Sequence, residues 1–401
     1  MRYRHISVAI PVLSEYSNMP ALLSRLNSQK GVCFDVYICV NNPDTWQTAN
    51  DAAQCAMYDD NQKTLSFLRD YVAGNFTLHI LDRSSGGKGW QGKKHGVGQA
   101  RKILLETIAA EHDDNELIIN LDADTDFDDC YFHMVLERMN EHCNCTALTV
   151  PYFHPLSGDD NLDRAVLRYE IYMRYYLISL MESANPYAFT ALGSAMVFPL
   201  WSYKRVGGMT PLQGGEDFYM IQKLAKTGRI IRYLPTYVRP QGRISGRVPF
   251  GTGPAIAKGV DGMAVNYPLY AREGFKNVAA TYASFHDLYD GDRETPMSDF
   301  LREQTKENDL WGKIRKNFKD RQLFVHSCEE KVDGLRILQY LRTVESRGDE
   351  MELRDLCNKH GISMDNDFRF LVSPTASLDR MRRDMFKVEM AMRQQLDNMC
   401  K

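Results

Sequence analysis

Residues 117–130, LIINLDADTDFDDC, run from the apolar Leu117, Ile118, Ile119 and Leu121 straight into five aspartates: Asp122, Asp124, Asp126, Asp128 and Asp129. Like charges this close repel one another unless a cation lies among them or water screens them. The run is therefore either a cation site or a solvated loop. Asp122-Ala123-Asp124-Thr125-Asp126 opens like a calcium loop, but Phe127 stands where glycine is needed and His133 where a bidentate glutamate belongs. One or two carboxylates at the end of a strand suit Mg²⁺ or Mn²⁺ held against a diphosphate, because such an ion keeps part of its water shell. A helix start, where the macrodipole favours anions, accounts for Asp126, Asp128 and Asp129 but poorly for Asp122 and Asp124.

A second acidic constellation is Gly214-Gly215-Glu216-Asp217. Two adjacent carboxylates at such a turn point in different directions, so one can reach a substrate hydroxyl while the other orients a neighbour. By itself the tetrapeptide also reads as a helix cap. The segment from Arg83 to Lys102 is locally basic, with Arg83, Lys88, Lys93, Lys94, Arg101 and Lys102 beside a helix N-terminus that can bind phosphate. A solvated surface face is the plain alternative. Gly87-Lys88-Gly89-Trp90-Gln91-Gly92 spells GxGxxG, yet it does not follow the first strand, and Trp90 is bulky where a pyrophosphate would approach.

These groups must be positioned by regular elements. Runs at 6–13, 35–40, 76–82, 116–121 and 146–150 are short, apolar and rich in β-branched residues, and helix-like segments at 18–29, 46–73, 95–111 and 129–142 alternate with them. Near-continuous apolar strands separated by helices predict an α/β fold with a mainly parallel sheet covered on both faces. Ligands in such sheets bind outside the carboxyl ends of the strands, where the aspartate run falls. Further helices are expected near 161–183, with Tyr169, Tyr172 and Tyr176 as a packing stripe, and at 217–227, followed by a strand in RIIRYLP. Beyond 251 the pattern is polar helix with charges of both signs, which predicts an α/β domain over 1–250 and a mostly helical C-terminal extension over 251–401.

Composition narrows the class. With 401 residues, 44% of them apolar, and 25% charged, the chain can bury a substantial core. A net charge of −3 lacks the basic excess of a general nucleic-acid binder, so no nucleic-acid partner is expected. No apolar run reaches transmembrane length, which predicts a cytoplasmic protein with at most peripheral membrane contact. The nine cysteines do not read as a disulfide framework, and Cys143-Asn144-Cys145 lacks a second ligand pair at zinc spacing.

In order along the chain, SVAIPVLSEYSNMPALLSRL, INLDADT and ALGSAMVFPLWSYKRVGGMTPLQGGEDFYMIQKLAKTGRIIRYLP resemble the first strand and helix, the D-x-D strand and the acceptor-side block of the inverting glycosyltransferases of family 2. The resemblance covers about 1–240. It implies a GT-A, Rossmann-like fold and transfer of a sugar from a nucleotide-diphospho-sugar to a hydroxyl of a saccharide or lipid-linked acceptor, with Mn²⁺ or Mg²⁺ as cofactor. It places Pro11, Glu15 and Asn42 at the nucleotide, Asp122 at ribose and metal, Asp124 at the metal, and Glu216 with Asp217 at the catalytic base, Asp217 being the residue chosen.

Two departures stand out. Asn41-Asn42-Pro43-Asp44 replaces the usual acidic pair after the second strand, which leaves the base open, a UDP-sugar being the first choice. No clear Q-x-x-R-W is present; Gln241-Gly242-Arg243 and Arg247 stand instead, which does not support processive synthesis. Arg243 and Arg247, like Lys88 and Lys93, are then expected to grip the diphosphate. A nucleotidyltransferase on a similar sheet and a glycosyltransferase-like binding protein without turnover are the rival readings.

Overall fold

The computed structural model describes residues 1–92, 95–244, 252–260 and 269–399. The chain divides into two compact units, Met1–Leu162 with Ala191–Asp261, and Asp163–Thr190 with Gly262–Met399. Residues 163–190, counted with the first segment in the sequence reading, thus cluster with the C-terminal helices. The division expected at 250/251 lies outside the described residues.

The first unit alternates strand and helix: β1 (His5–Val12), α1 (Met19–Asn27), β2 (Cys33–Asn41), α2 (Ala52–Asp70), β3 (Thr77–Arg83), α3 (Val97–Glu111), β4 (Leu117–Asn120), β5 (Thr125–Asp126), α4 (Tyr131–Glu141) and β6 (Ala147–Thr149). After α5 (Asp160–Glu182) come β7 (Met196–Pro199), α6 (Leu200–Arg205), α7 (Glu216–Thr227), β8 (Ile230–Ile231), β9 (Arg239–Pro240) and α8 (Thr252–Val260). Seven strands form one sheet in the order β3-β2-β1-β4-β7-β6-β8, and β5 pairs with β9 in a separate two-stranded sheet. The contacts β1–β2, β1–β4, β2–β3 and β6–β8 are parallel, whereas β7 runs antiparallel to both β4 and β6. The α/β architecture with a mainly parallel sheet is therefore present. Ile6, Val8, Ala9, Ile10 and Val12 of β1 and all four residues of β4 are buried, which is why these strands show apolar runs and no alternation. β7 arises from AMVFP, which the sequence reading did not assign, and the strand expected in RIIRYLP shrinks to Ile230–Ile231.

Strand ends are tied together by a buried amide network. Asn61 on α2 donates to the Asn41 carbonyl at 3.1 Å and to Asn42 Oδ1 at 2.8 Å, and accepts from the Ser14 amide at 2.8 Å. Ser14 has φ 53°, so this bond holds a left-handed turn directly after β1. Asn41 in turn donates to the Val12 carbonyl at 2.9 Å. The carboxyl ends of β1 and β2 are thereby locked in place by hydrogen bonds that have no water to replace them.

The second unit comprises most of α5 with α9 (Arg272–Leu288), α10 (Ser298–Thr305), α11 (Gly312–Asn317), α12 (Arg321–Lys331), α13 (Gly334–Leu341), α14 (Asp349–His360) and α15 (Thr375–Met399). The mostly helical character expected of the C-terminal residues holds. Their charges, however, are partly turned inward. Leu378, Met381, Arg382, Met385, Glu389 and Arg393 form the buried stripe of α15, and Glu170 and Arg174 of α5 are equally buried. Arg174 bonds both Glu170 and Glu389, Arg382 donates to Glu170 at 3.1 Å, and Arg393 donates to Glu389 at 2.7 Å. Tyr172 and Tyr176 pack on Tyr270 with ring centroids 6.3 and 6.0 Å apart. No helix among the described residues is long and apolar enough to cross a membrane.

Candidate active site

In GQARKILLETIAA the apolar stripe of α3 runs through Leu104, Leu105 and Ile108, and Arg101 lies on that same stripe by helical spacing. Its guanidinium is consequently driven into the protein, where its side chain is 3% exposed. One end bonds Glu216 and the other Asp122. Gly193 leaves the room: a Cβ there would lie 2.2 Å from a guanidinium nitrogen. The acid following β4 and the acid opening α7 thus meet on one buried cation.

Glu216 reaches that cation because Gly215, at φ 74°, makes the left-handed turn before α7. The side chain of Glu216 is 3% exposed, close to the limit at which a carboxylate survives only with a counter-ion. Its neighbour Asp217 is differently placed. It takes a 2.7 Å hydrogen bond from the Phe218 amide at the start of α7 and keeps part of its surface in contact with solvent. Burial, and next the charge of Glu216, push the Asp217 carboxyl up to about 7, against the pull of Arg101 and of the Phe218 bond.

Asp124 is reached by a second arginine. Pairing of Thr125 with Pro240 and of Asp126 with Arg239 in the β5–β9 sheet, and the Gln241 amide bonding the Asp124 carbonyl at 3.2 Å, lay residues 239–243 along the aspartate run. Arg243 then sits 2.7 Å from Asp124 and also bonds Glu15, whose second oxygen accepts from Asn18 at 2.6 Å. Glu15 is buried although it lies in the loop after β1. Pro11 lies one residue before the end of β1, in register with Cys39.

The remaining aspartates do not start α4 as expected. That helix begins at Tyr131 with no acid in its first turn and no side-chain cap. Asp126 instead takes bonds from Arg25 at 2.8 Å and Arg239 at 2.9 Å; Asp128 takes them from Arg239 at 2.9 Å and Thr236 at 2.8 Å; Asp129 bonds Arg25 at 2.9 Å and Ser28 at 2.7 Å. Two arginines far away in sequence neutralise the run where the sequence alone suggested a dipole.

Asn42 is 1% exposed and its side chain is engaged by Asn61, Ser84 and the Pro43 carbonyl, so its amide serves the scaffold. In the GxGxxG segment, Trp90 exchanges backbone bonds with Asn42 and Asp44 at 2.9 and 3.1 Å, and Nε1 donates to Asn41 at 3.0 Å. The segment packs on the end of β2, not at the first strand. Lys88 is mostly exposed and pairs with Asp82 at 3.2 Å. Lys93 and Arg247 lie outside the described residues. The basic cluster loses Arg101 to the interior, a position that its place on the α3 apolar stripe announces and that reading it as one of a row of cations hides.

As possible metal ligands, Asp122 and Asp124 offer hard oxygen donors. Asp122 is 37% exposed and its Oδ2 has no hydrogen-bond partner among the described residues, which fits a divalent ion of the Mg²⁺ or Mn²⁺ type. Both aspartates follow β4 at its carboxyl end, where ligands of parallel sheets bind.

No family model and no curated protein matches the chain. Among solved structures, it is similar to S. aureus TarS 1-349 in complex with UDP-GlcNAc, at 13% identity and a TM-score of 0.40 over 98% of this chain and 92% of that chain. It is also similar to the mannosyltransferase PcManGT from Pyrobaculum calidifontis in complex with GDP-Man and Mn²⁺, at 12% identity and a TM-score of 0.35 over 99% and 88%. A third is GalNAc-T7 with UDP, GalNAc and Mn²⁺, at 12% identity and a TM-score of 0.36 over 76% and 55%.

Removing Arg101 leaves Glu216 buried without a counter-ion, a loss of about 3–5 kcal/mol for a buried pair. Arg101→Met should lower folding stability by that order in urea denaturation. The double variant Arg101→Met/Glu216→Gln should recover a large part of it, because the orphaned charge is gone.

Proposed function

We propose that the chain is a GT-A glycosyltransferase of the inverting, family-2-like kind, moving a sugar from a nucleotide-diphospho-sugar to an acceptor hydroxyl. The observation that carries this reading is the shared contact of Asp122 and Glu216 on Arg101, which makes the strand-end aspartates and the helix-start acids one site. A UDP-sugar is the first donor to test, and a saccharide or lipid-linked hydroxyl the acceptor.

Within that reading Asp217 is the base. Glu216 is paired with Arg101 and nearly without solvent contact, so its part is to position the site. Among the described residues Asp217 carries no ion pair of its own, and its carboxyl is raised toward neutrality, where a general base is most effective. The acceptor oxygen attacks the anomeric carbon as its proton passes to Asp217, and the bond from that carbon to the diphosphate oxygen breaks with its electron pair leaving on the diphosphate. The sugar is thereby inverted in a single displacement. Asp122 and Asp124 would hold Mg²⁺ or Mn²⁺, which when bound offsets the charge of the departing diphosphate. Arg243, joined to Glu15 and Asp124, supplies a fixed positive group on the same side of the site. Lys88, Lys93 and Arg247 remain proposed diphosphate contacts.

Asp217→Asn keeps shape and the bond from Phe218 but cannot accept a proton. Release of nucleoside diphosphate by this variant should fall about 10²–10⁴-fold with donor affinity and melting temperature nearly unchanged. Glu216→Gln, measured beside it, should lose stability as well as rate, since it leaves Arg101 short of a partner. A fully active Asp217→Asn protein would remove the base assignment.

The raised carboxyl of Asp217 also sets a pH profile. Only its ionised form accepts a proton, and a folded value pushed up to about 7 means that this form grows as pH rises through neutrality. kcat/KM should therefore climb about tenfold per pH unit below that point and level above it. A limb near the ordinary carboxylate range, about 4, would contradict the environment described for Asp217.

A further inference from the structure

At the opposite end of β4 from the aspartate run, a second group of titratable side chains converges. His5 begins β1, His112 directly follows α3, and Glu116 precedes β4. Glu116 Oε1 lies 2.9 Å from His5 Nδ1, and Glu116 Oε2 lies 3.4 Å from His112 Nδ1. One donor atom from each of the three residues lies within 4.8 Å of the other two. From Glu116 to Asp122 the extended chain spans about 20 Å, so this cluster is separate from the proposed donor site.

The hydrogen bonds around the cluster fix which nitrogen faces inward. Tyr37 donates its hydroxyl to Glu111 at 2.7 Å, and burial, followed by that same bond, raises its phenol well above the ordinary range, so the proton stays. With its one proton committed to Glu111, the Tyr37 oxygen accepts from His112 Nε2 at 2.9 Å. With Nε2 turned to Tyr37, His112 Nδ1 faces the Glu116 carboxylate at 3.4 Å. Ser7 donates to Glu116 Oε1 at 2.6 Å and orients that carboxylate.

Among the described residues the ion pairs of Glu116 are with His5 and His112, and those of Asp35, 3.9 Å from the Nε2 atoms of both rings, are with His5, His79 and His112. The arrangement matches the supporting shell of a metal-ligating imidazole, in which the ring nitrogen away from the ion donates to a fixed oxygen.

We propose that His5, His112 and Glu116 bind one divalent transition ion of the zinc type, through Nδ1 of each imidazole and the Glu116 carboxylate, at the amino edge of the sheet. Ligand atoms sharing such an ion at ~2.1 Å in tetrahedral geometry stand about 3.4 Å apart, so a group whose donor atoms lie within 4.8 Å of one another closes on it by a shift of at most about 1.4 Å. Partial exposure of both rings, 33% for His5 and 19% for His112, leaves a path for entry and a position for water. Imidazole donors separate this site from the all-carboxylate pair Asp122 and Asp124, which suits harder ions. Bound metal would pin the start of β1 to the junction between α3 and β4.

The test is a titration of the metal-free full chain with Co²⁺, read by the visible absorption of nitrogen-ligated, low-coordinate cobalt, with Zn²⁺ displacement as a second arm. Wild type and Asp124→Asn should each develop one equivalent of this absorption, and Zn²⁺ should remove it and raise the melting temperature. His112→Gln and His5→Gln, with folding checked by circular dichroism, should lose it. Tyr37→Phe should weaken binding about 10–100-fold while keeping the ligands. Absence of the absorption in wild type, its loss in Asp124→Asn, or its persistence in folded His112→Gln would each overturn the proposal.

Discussion

A guanidinium taken out of water has to be matched by carboxylates, and one carboxylate alone leaves most of its donors unused. Arg101 meets this demand with two acids from distant parts of the chain, one following β4 and one opening α7. The consequence is structural before it is functional. The carboxyl end of the parallel sheet and the helix that carries Asp217 cannot drift apart without exposing or orphaning a buried charge. Gly193 and Gly215 follow from the same requirement, the first by leaving space for the cation and the second by turning the chain so that Glu216 reaches it.

The same demand divides labour between adjacent acids. Glu216 spends its charge on Arg101, and its field in turn contributes to holding Asp217 above the usual carboxylate range. One residue is fixed by its ion pair while its neighbour is raised toward neutrality, a difference that is invisible in two adjacent acids of the sequence. Asp124 and Glu15 repeat the pattern with Arg243, so the site edge is built from arginine-clamped acids on both sides.

Much of the scaffold was legible because its signals are local. The strands β1, β2 and β4 read as apolar runs since both faces are covered, and the helices between them carry ordinary periodicity. The strand β7 was not legible, because Gly193 and Ser194 interrupt the run FTALGSAMVFP and its four-residue strand is too short to stand out. The fate of Asp126, Asp128 and Asp129 was misread for a different reason. Their partners Arg25 and Arg239 are brought in by tertiary packing, which no local pattern encodes. Arg101 was the recoverable miss, since an arginine in step with Leu104, Leu105 and Ile108 has nowhere to go but inward. In the second unit the stripe Arg382, Glu389 and Arg393 carries the same message, read from sequence as polar helix and found to face Glu170 and Arg174.

The proposed sugar transfer depends on one coupling, in which Asp122 and Asp124 would receive a divalent ion together with a sugar diphosphate. It is tested most directly by the melting temperature of the full chain across a panel of UDP-, GDP- and dTDP-sugars, each with Mn²⁺ and with EDTA. Ligand that binds only the folded protein at about 100 times its Kd adds about 2.7 kcal/mol of stability, an upward shift that is readily measured. The account predicts a clear rise for at least one nucleotide-sugar with Mn²⁺ that disappears in EDTA and in Asp124→Asn. Absence of any shift across the panel, or an equal shift in Mn²⁺ and EDTA, would contradict it.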